Sequence, residues 1–246
     1  MDRSLYIAMS GAKQTLLAQT ANANNLANAN TTGFKADLEQ FRSQPVFGAG
    51  FPTRVYAQNE NPGTNFTAGA LQTTGRNLDV AVSGDGWLAV QSPSGAEAYT
   101  RAGDLRVSPE GLLQTGSGLQ VIGQGGPIAV PPFEKLDIGK DGTISIIPLG
   151  NNAANVAVID RIKLVNPPLE TLEKGADGLI HSKDAAPVAA DANVNLVPGA
   201  LEASNVNSIQ AMVDMIELAK SFELQTKVMN TAKDNANASS ELLKLA

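Results

Sequence analysis

The sequence predicts an α+β protein in which an antiparallel β domain, barrel-like or sandwich-like, is inserted between long N- and C-terminal helices that pair into a coiled-coil core domain. The first observation behind this prediction is an uneven distribution of helix breakers. All 13 prolines of the 246-residue chain lie between Pro45 and Pro198, and 20 of the 23 glycines lie between Gly48 and Gly178. Because both residue types interrupt helices, only the two ends can form long ones.

The second observation is a spacing of alternately four and three residues between apolar or neutral positions at both ends, which is typical of helices that pack lengthwise. Residues 1–33 and 199–246 are therefore predicted to form one discontinuous helical domain. The second helix is predicted to start at Ser204 or Asn205, whose side chains can cap exposed backbone N–H groups. An ordinary helical hairpin packed on the central domain is an alternative reading. The seams are Leu5, Met9, Ala12, Leu16, Gln19, Ala23 and Leu26 at one end, and Ala211, Met215, Leu218, Phe222, Gln225, Met229, Ala232, Ala236, Ser239 and Leu243 at the other.

A run of asparagines marks the end of the first helix. Asn24, Asn25 and Asn28 share one helical face, where their amides can end the helix or bond across an interface. Gly33 then supplies a position that tolerates positive φ, and Phe34 is the first large side chain after it. A plain polar helix end followed by a turn remains the alternative.

Residues 34–76 are predicted to form an extended connecting arm. Six of the 11 aromatic residues (one Trp, three Tyr, seven Phe) fall between Phe34 and Phe66, in a stretch broken by prolines. Aromatics such as Phe41, spaced along an arm, favour docking onto neighbouring surfaces. A short helix over residues 35–41 is the regular element that this arm could add, and a long loop lying on the central domain is the alternative.

The third observation is that residues 77–198 consist of short apolar runs separated by turn signals. The signals recur about every 7 to 12 residues, apart from one longer gap before Asp141-Gly142, and no long crossover helix interrupts them. This pattern predicts the antiparallel β domain. The strand-like runs are 78–82, 87–91, 98–101, 105–107, 119–122, 128–130, 143–147 and 156–165.

Composition argues against several functional classes. The net charge of −6 gives no sign of a nucleic-acid partner, and the absence of cysteine excludes disulfides and thiolate metal sites. Residues 14–34 are uncharged but too rich in amides to span a bilayer, so no direct membrane insertion is expected. No cofactor is predicted.

Catalytic motifs are equally scarce, and the chain is predicted not to be an enzyme. His181 is the single histidine, which excludes a multi-histidine metal site. Residues 84–89 match a loose dinucleotide-binding fingerprint, but a strand rather than a helix is expected to follow them. Residues 137–142 resemble the start of a calcium loop, but the position of its final ligand holds Pro148, so a hairpin turn is expected. Carboxylate pairs such as Asp177 with Asp184, or Asp104 with Glu110, carry no sign of converging.

Three segments resemble bacterial flagellar rod and hook proteins. Residues 23–35 read Ala-Asn-Asn-Leu-Ala-Asn-Ala-Asn-Thr-Thr-Gly-Phe-Lys, which is similar to the N-terminal signature of that family. Residues 199–207, Gly-Ala-Leu-Glu-Ala-Ser-Asn-Val-Asn, resemble its C-terminal signature. Residues 78–87 and 98–105 are similar to its β domain. The resemblance covers essentially the whole chain, with the motifs in the family's order.

Within this family, the chain resembles proximal-rod members more than distal-rod members at three places: Met1-Asp2-Arg3, Gly86-Trp87 and residues 101–104. A distal-rod protein is the nearest alternative. The resemblance implies a structural subunit of the basal-body rod that polymerises through its terminal helices into a hollow drive shaft, transmits torque and encloses the export channel. The implied partners are copies of itself, other proximal and distal rod proteins and the flagellar export apparatus, which would export the chain without a cleaved signal. A secreted or periplasmic binding module built on the β domain is the more distant alternative.

The resemblance and the two seams together predict an assembly interface. Its residues are Leu5, Met9, Leu16, Asn24, Asn25, Leu26, Asn28, Gly33, Phe34, Lys35, Phe41, Ser204, Asn205, Val206, Asn207, Met215, Phe222 and Met229.

Overall fold

The computed structural model describes residues 3–47, 55–150, 156–184 and 186–244. The chain divides into two compact units. The first consists of Met1–Ala29, Asp37–Asn65 and Val206–Ala246, and the second of Asn30–Ala36 and Phe66–Asn205. The units differ from the predicted domains, because much of the predicted arm groups with the helices, whereas residues 30–33 and 199–205 group with the β strands.

The described residues form two long helices at the ends of the chain and many antiparallel strands between them, which confirms the α+β class. The elements in chain order are α1 (Arg3–Ala27), β1 (Asp37–Pro45), β2 (Val55–Thr64), β3 (Leu71–Thr73), β4 (Val80–Ser83), β5 (Trp87–Gln91), β6 (Glu97–Thr100), β7 (Leu105–Val107), β8 (Leu113–Thr115), β9 (Phe133–Ile138), β10 (Thr143–Pro148), β11 (Ala157–Arg161), β12 (Leu164–Val165), a 3₁₀ turn (Leu169–Thr171), β13 (Leu172–Lys174), β14 (Ile180–Ser182), β15 (Asn195–Pro198), β16 (Ala200–Glu202) and α2 (Ser208–Lys244).

In the first unit, α1 and α2 pack together through small side chains. The face of α1 that is buried carries Ala8, Ala12, Thr15 and Ala18. The predicted α1 seam is only partly buried within the chain: Leu5 and Leu26 are half-buried, whereas Met9 is 54% exposed and Leu16 is 53% exposed. Small residues let the two backbones approach closely, so the buried stripe follows them: it shares Ala12 with the predicted seam and otherwise uses the adjacent positions Ala8, Thr15 and Ala18. On α2 the predicted seam turns inward in part: Ala211 and Ala232 are buried and Met215, Leu218, Gln225 and Met229 are half-buried, whereas Phe222, Ala236 and Ser239 are exposed.

The predicted cap of α2 is also wrong. The helix begins at Ser208, and the Asn207 side-chain oxygen accepts hydrogen bonds from the backbone N–H groups of Ile209 (3.1 Å) and Gln210 (3.2 Å). Asn205 is unavailable for this role because its amide oxygen accepts a hydrogen bond from the Ala36 N–H (2.8 Å).

The predicted arm contains an antiparallel hairpin, β1 paired with β2, which the sequence analysis did not anticipate. The suggested helix over residues 35–41 is wrong, because Asp37 already belongs to β1. The Asn25 side chain holds the start of this strand: its amide donates to the Asp37 carbonyl and its oxygen accepts from the Asp37 N–H, both at 2.9 Å. Phe41 lies on β1 and is half-exposed.

In the second unit, the strands form several small antiparallel sheets. The largest has the order β12-β5-β6-β14-β13, and a three-stranded sheet has the order β11-β10-β9. Across the part of the chain that the structure describes, no sheet closes into a barrel, so the barrel-like part of the prediction is not confirmed. The main core contains fully buried aliphatic side chains, among them Leu88, Leu105, Leu113, Ile128 and Ile144.

Most predicted strand positions are confirmed, but the runs 119–122 and 128–130 contribute only isolated bridges, such as Val90 with Val121. The turn at Asp141-Gly142 joins β9 to β10 with Gly142 at φ 83°, as the hairpin reading predicts. Residues 87–91 form a strand, so the dinucleotide-binding context is absent at this position. Neither of the described helices has a stretch apolar and long enough to cross a membrane.

Candidate assembly site

A buried carboxylate organises the second unit where the two signature segments meet. Glu202, the last residue of β16, is 1% exposed and accepts hydrogen bonds on both oxygens. Oε1 accepts from Lys35 Nζ (2.6 Å) and the Gly69 N–H (2.9 Å), and Oε2 accepts from Arg101 Nη1 (2.9 Å). Lys35 also donates to the Thr67 carbonyl (2.8 Å). One carboxylate thus ties together three segments that are distant in sequence.

Trp87 forms an aromatic wall beside this cluster. The Arg101 guanidinium carbon lies 5.1 Å from the ring centroid and Lys35 Nζ lies 5.9 Å from it. The Phe66 ring packs edge-on against the Trp87 ring, with the two ring centroids 5.6 Å apart. Cations over an aromatic face gain about 0.5–2 kcal/mol each, more when they are desolvated, so Trp87 helps to hold both cations in the interior.

Burial and hydrogen bonding act in opposite directions on the charged groups. Burial favours a higher pKa for the Glu202 carboxyl, but the hydrogen bonds from Lys35 and Gly69 and the charge of Arg101 hold its pKa below the ordinary value. Burial lowers the pKa of the Lys35 ammonium, and the hydrogen bond to Glu202 offsets this only in part. The charged form is therefore favoured for Glu202 and disfavoured for Lys35. The reason is that the carboxylate faces two cations, whereas Lys35 shares that single carboxylate with Arg101.

Backbone contacts bring the N-terminal signature directly against the C-terminal one. The Gly33 N–H donates to the Glu202 carbonyl (2.8 Å), and the Asn205 N–H donates to the Phe34 carbonyl (3.3 Å). Gly33 has φ 67°, and a Cβ atom there would lie 2.3 Å from the carbonyl carbon of Arg101. The Phe34 ring lies under Lys174 Nζ at 4.1 Å. The structure therefore brings Gly33, Phe34, Lys35 and Asn205 together.

The predicted residues of the first unit lie along the helix pair. Gln225 Nε2 donates to Thr15 Oγ1 (3.2 Å), and Asn22 Nδ2 donates to the Ala211 carbonyl (2.7 Å), so amides do bond between the helices. Asn28 Nδ2 donates to the Asn24 carbonyl (3.0 Å) at the end of α1. Of the remaining predicted residues, Leu5, Leu26, Ser204 and Val206 are half-buried, and Asn24, Asn207 and Phe222 are exposed.

The sequence analysis missed Glu202 and Arg101. Both residues lie inside the segments that resemble the rod and hook family. Neither segment indicates which residue its charge would pair with, and the two residues are 101 positions apart. The available signal was Glu202 itself, the single charge in the run of small, apolar and amide residues at 199–207; the Arg101 segment offers no such signal, since Glu97, Asp104 and Arg106 lie nearby.

His181 is paired rather than solitary. Its Nε2 lies 3.1 Å from both Asp177 oxygens, and Ser92 Oγ donates to Asp177 Oδ2 (3.1 Å). Burial favours a higher pKa for Asp177, but these hydrogen bonds and one from the Leu179 N–H lower it. Because the carboxylate stands between the serine and the histidine, the imidazole is not placed to take a proton from the hydroxyl, as a nucleophile requires. Among the described residues, no group of three or more His, Cys, Asp or Glu could hold a metal.

The exchange Gly33→Ala is expected to destabilise the chain by about 3 kcal/mol or more, since an alanine at positive φ costs about 1–2 kcal/mol and its Cβ would displace the Arg101 backbone. Gly75→Ala is the matched control: Gly75 has φ 72°, but a Cβ there would meet nothing within 4 Å. Gly75→Ala should therefore lower the free energy of unfolding only by the about 1–2 kcal/mol that an alanine at positive φ costs. Urea denaturation of both variants measures the difference, and equal losses would contradict the close approach at Gly33.

The exchange Glu202→Gln is expected to cost about 3–5 kcal/mol at pH 7, because it leaves two buried cations without a counter-charge. The folded-state pKa of Glu202 is lowered from 4.5, so its stabilisation is present above that pH and is lost as the pH falls through the lower folded value. The gap in unfolding free energy between the two proteins should therefore narrow below about pH 4.5. Exposed Glu134→Gln is the control and should change stability by less than about 0.5 kcal/mol. A gap that stays constant from pH 7 to pH 3 would refute the assignment.

Comparisons with known proteins agree with this arrangement of signatures. Family models match residues 5–35 (flagella basal body rod protein), 81–146 (flagellar hook protein FlgE/F/G D1 domain) and 197–242 (flagellar basal body rod FlgEFG protein C-terminal). The flagellar basal-body rod protein FlgF of Escherichia coli K12 is 44% identical, and that of Salmonella typhimurium LT2 is 42% identical, each over 100% of both chains. The rod protein FlgG of Bacillus subtilis 168 is 31% identical over 95% of this chain and 96% of its own. These relatives are named as rod proteins and not as enzymes, and the chain belongs to the family of flagellar basal-body rod proteins.

Proposed function

We propose that this rod subunit polymerises through its terminal helices into the proximal part of a hollow helical shaft that transmits torque and encloses the export channel. The observation that carries the proposal is the outward placement of large apolar side chains on the helix pair. Met9, Leu16 and Leu17 on α1 are about half-exposed, and on α2 the large apolar side chains that are exposed include Met212, Ile216 and Leu224.

The helix pair alone buries little apolar area. Its fully buried side chains are alanines and Thr15, whose hydroxyl also donates to the Gly11 carbonyl (3.0 Å), and its larger residues Met215, Leu218 and Met229 are only half-buried. Burying a leucine- or methionine-sized side chain contributes about 1.5–3 kcal/mol, whereas an alanine contributes much less. Many of the side chains that could stabilise these helices most, such as Leu16, Ile216 and Leu224, are therefore left exposed. A surface of this kind gains the most when other copies of the chain cover it.

Repeated contacts between different faces of identical chains do not close on themselves and produce helical polymers. The amides within the helix pair suit such an assembly, because polar groups in an apolar seam allow only the registers in which they are paired. The Gln225 to Thr15 contact is one such pair. It fixes the alignment of α1 against α2 and thereby the pattern of apolar residues presented outward.

The proximal position rests on the comparisons. Identity to the relatives named FlgF reaches 44% and 42%, against 31% for the FlgG relative. The partners proposed are copies of this chain, other proximal and distal rod proteins, and the flagellar export apparatus, which would carry the chain without a cleaved signal. Phe41, exposed on the β1–β2 hairpin, is proposed to contact a neighbouring subunit.

The double exchange Met9→Ser with Leu16→Ser is expected to leave the free chain folded and to abolish motility when it replaces the wild-type chain in its own host. Both side chains are largely exposed, so circular dichroism and the urea midpoint should change little, while lost apolar contacts between subunits should prevent rod formation. Leu149→Ser is the control, since Leu149 is 69% exposed in the second unit. Swarming diameter and the presence of rods in isolated basal bodies are the measurements. Full motility of the double variant would contradict the proposal.

A further inference from the structure

All of the sulfur in this chain belongs to the first unit. The sequence contains no cysteine, and its five methionines are Met1, Met9, Met212, Met215 and Met229. These positions fall within the two terminal segments of that unit, so the second unit contains neither a thiol nor a thioether. Methionine sulfur is a common target of biological oxidants. Oxidation of sulfur is therefore confined to the unit that contains α1 and α2.

Two of the methionines are exposed on the helices. Met9 on α1 is 54% exposed and Met212 on α2 is 55% exposed, whereas Met215 and Met229 are half-buried. An oxidant must reach the sulfur to react with it, so susceptibility follows exposure. Met9 and Met212 are therefore the methionines of the described helices that should react first.

Each exposed methionine has exposed apolar neighbours on its own face of the helix. Ile209 lies three residues before Met212 and Ile216 lies four residues after it, and both isoleucines are exposed. Leu16, also exposed, follows Met9 by seven residues, which is two helical turns. Residues at these spacings share one helical face. The two thioethers thus belong to the apolar surface that is proposed above to contact other copies of the chain.

Oxidation changes the chemical character of that surface. A lone pair of the thioether sulfur attacks one oxygen of hydrogen peroxide, the O–O bond breaks, and the proton on the transferred oxygen moves to the departing hydroxide. The sulfur is oxidised to a sulfoxide and the peroxide is reduced to water. An apolar, flexible side chain becomes a polar one with a strong hydrogen-bond acceptor. Burying this oxygen in an apolar contact that offers no donor is unfavourable.

We propose that Met9 and Met212 form an oxidant-sensitive modification site, at which peroxides convert the free subunit into a form that cannot join the polymer. The proposal rests on the assembly through the terminal helices that is proposed above. Contacts with other copies protect these side chains in an assembled subunit, whereas a free subunit is sensitive. Oxidation therefore stops the addition of new subunits and spares existing shafts. Reduction of the sulfoxide by a thiol-dependent reductase restores the free subunit.

The reactivity of the site is measured on the purified full-length chain. Hydrogen peroxide is added, and peptide mass spectrometry follows the gain of oxygen at each methionine. Met9 and Met212 are expected to react about threefold faster or more than Met215 and Met229 in the folded chain, and at equal rates in urea, where exposure no longer differs. Circular dichroism should show that both helices persist. Equal rates in the folded chain would overturn the proposal.

The protection of assembled subunits is measured on basal bodies isolated from the chain's own host. The same peroxide treatment is expected to oxidise Met9 and Met212 about tenfold more slowly there than in the free chain, because neighbouring copies exclude the oxidant. Equal rates in both preparations would overturn the proposed difference between free and assembled subunits.

The consequence for assembly is tested with a substitution that imitates the sulfoxide. Met9→Gln with Met212→Gln introduces polar side chains of similar length and should lower the number of rods in isolated basal bodies about tenfold or more. The matched variant Met9→Leu with Met212→Leu removes the sulfur and keeps apolar side chains. Rods formed after peroxide exposure, counted relative to the same strain untreated, should fall about tenfold less in the leucine strain than in the wild type.

The outcomes separate this proposal from the assembly on which it rests. If the Met9→Ser, Leu16→Ser chain fails to form rods but the glutamine chain forms them in normal number, assembly through the helices stands and the oxidation site is overturned. The same conclusion follows if peroxide reduces rods equally in the wild-type and leucine strains. If the serine chain assembles normally, the assembly proposal itself fails.

Discussion

The second unit depends on keeping one carboxylate charged in the interior. Removing the Glu202 side chain from water is costly unless each of its oxygens is hydrogen-bonded, and the chain meets this need with Lys35, Arg101 and the Gly69 N–H. These partners come from separate segments of the sequence. The segments must therefore converge on β16 before the charge can be buried, and this requirement fixes where each of them runs.

The convergence explains two of the chain's glycines, Gly33 and Gly69. A Cβ atom on Gly69 would lie 1.9 Å from the Ala203 carbonyl oxygen, and one on Gly33 would strike the Arg101 backbone. Without a Cβ atom, Gly69 comes close enough to donate its own N–H to Glu202. Gly33 lets its segment lie against the Arg101 backbone, so that Lys35 and Arg101 both reach the same carboxylate. The same segments carry the covalent connections to the first unit, since residues 30–36, 66–69 and 202–205 adjoin every point at which the chain passes between the two units. The carboxylate thus determines the geometry of those ends of the second unit.

Sequence patterns predict the parts of this fold that depend on neighbouring residues. The absence of breakers identified α1 and α2, and the turn signals located β4, β5, β6, β7 and β10, because both signals act within a few positions. They could not predict the ion cluster, in which Lys35 and Glu202 are 167 positions apart. The spacing on α1 correctly included Ala12, but it also included Met9 and Leu16, which are exposed, because a spacing pattern does not distinguish a close contact of small side chains from a contact of large ones. The β1–β2 hairpin was also not predicted. Its start is held by hydrogen bonds between the Asn25 side chain and the Asp37 backbone, and a contact between a helix and a strand leaves no periodic pattern in the sequence.

The two units solve the problem of stability in different ways. The second has a core of fully buried large side chains such as Leu88, Leu105 and Leu113, and it neutralises the buried carboxylate of Glu202 internally. The first buries alanines between its helices and leaves methionine, leucine and isoleucine side chains exposed. Helices with so little buried area are marginal on their own, because burial of an apolar face rather than helix propensity supplies most of their stability. The first unit is therefore the part of the chain that gains most from contact with other subunits. It follows that substitutions on the exposed helix faces should affect assembly before they affect folding, whereas substitutions around Glu202 should do the reverse.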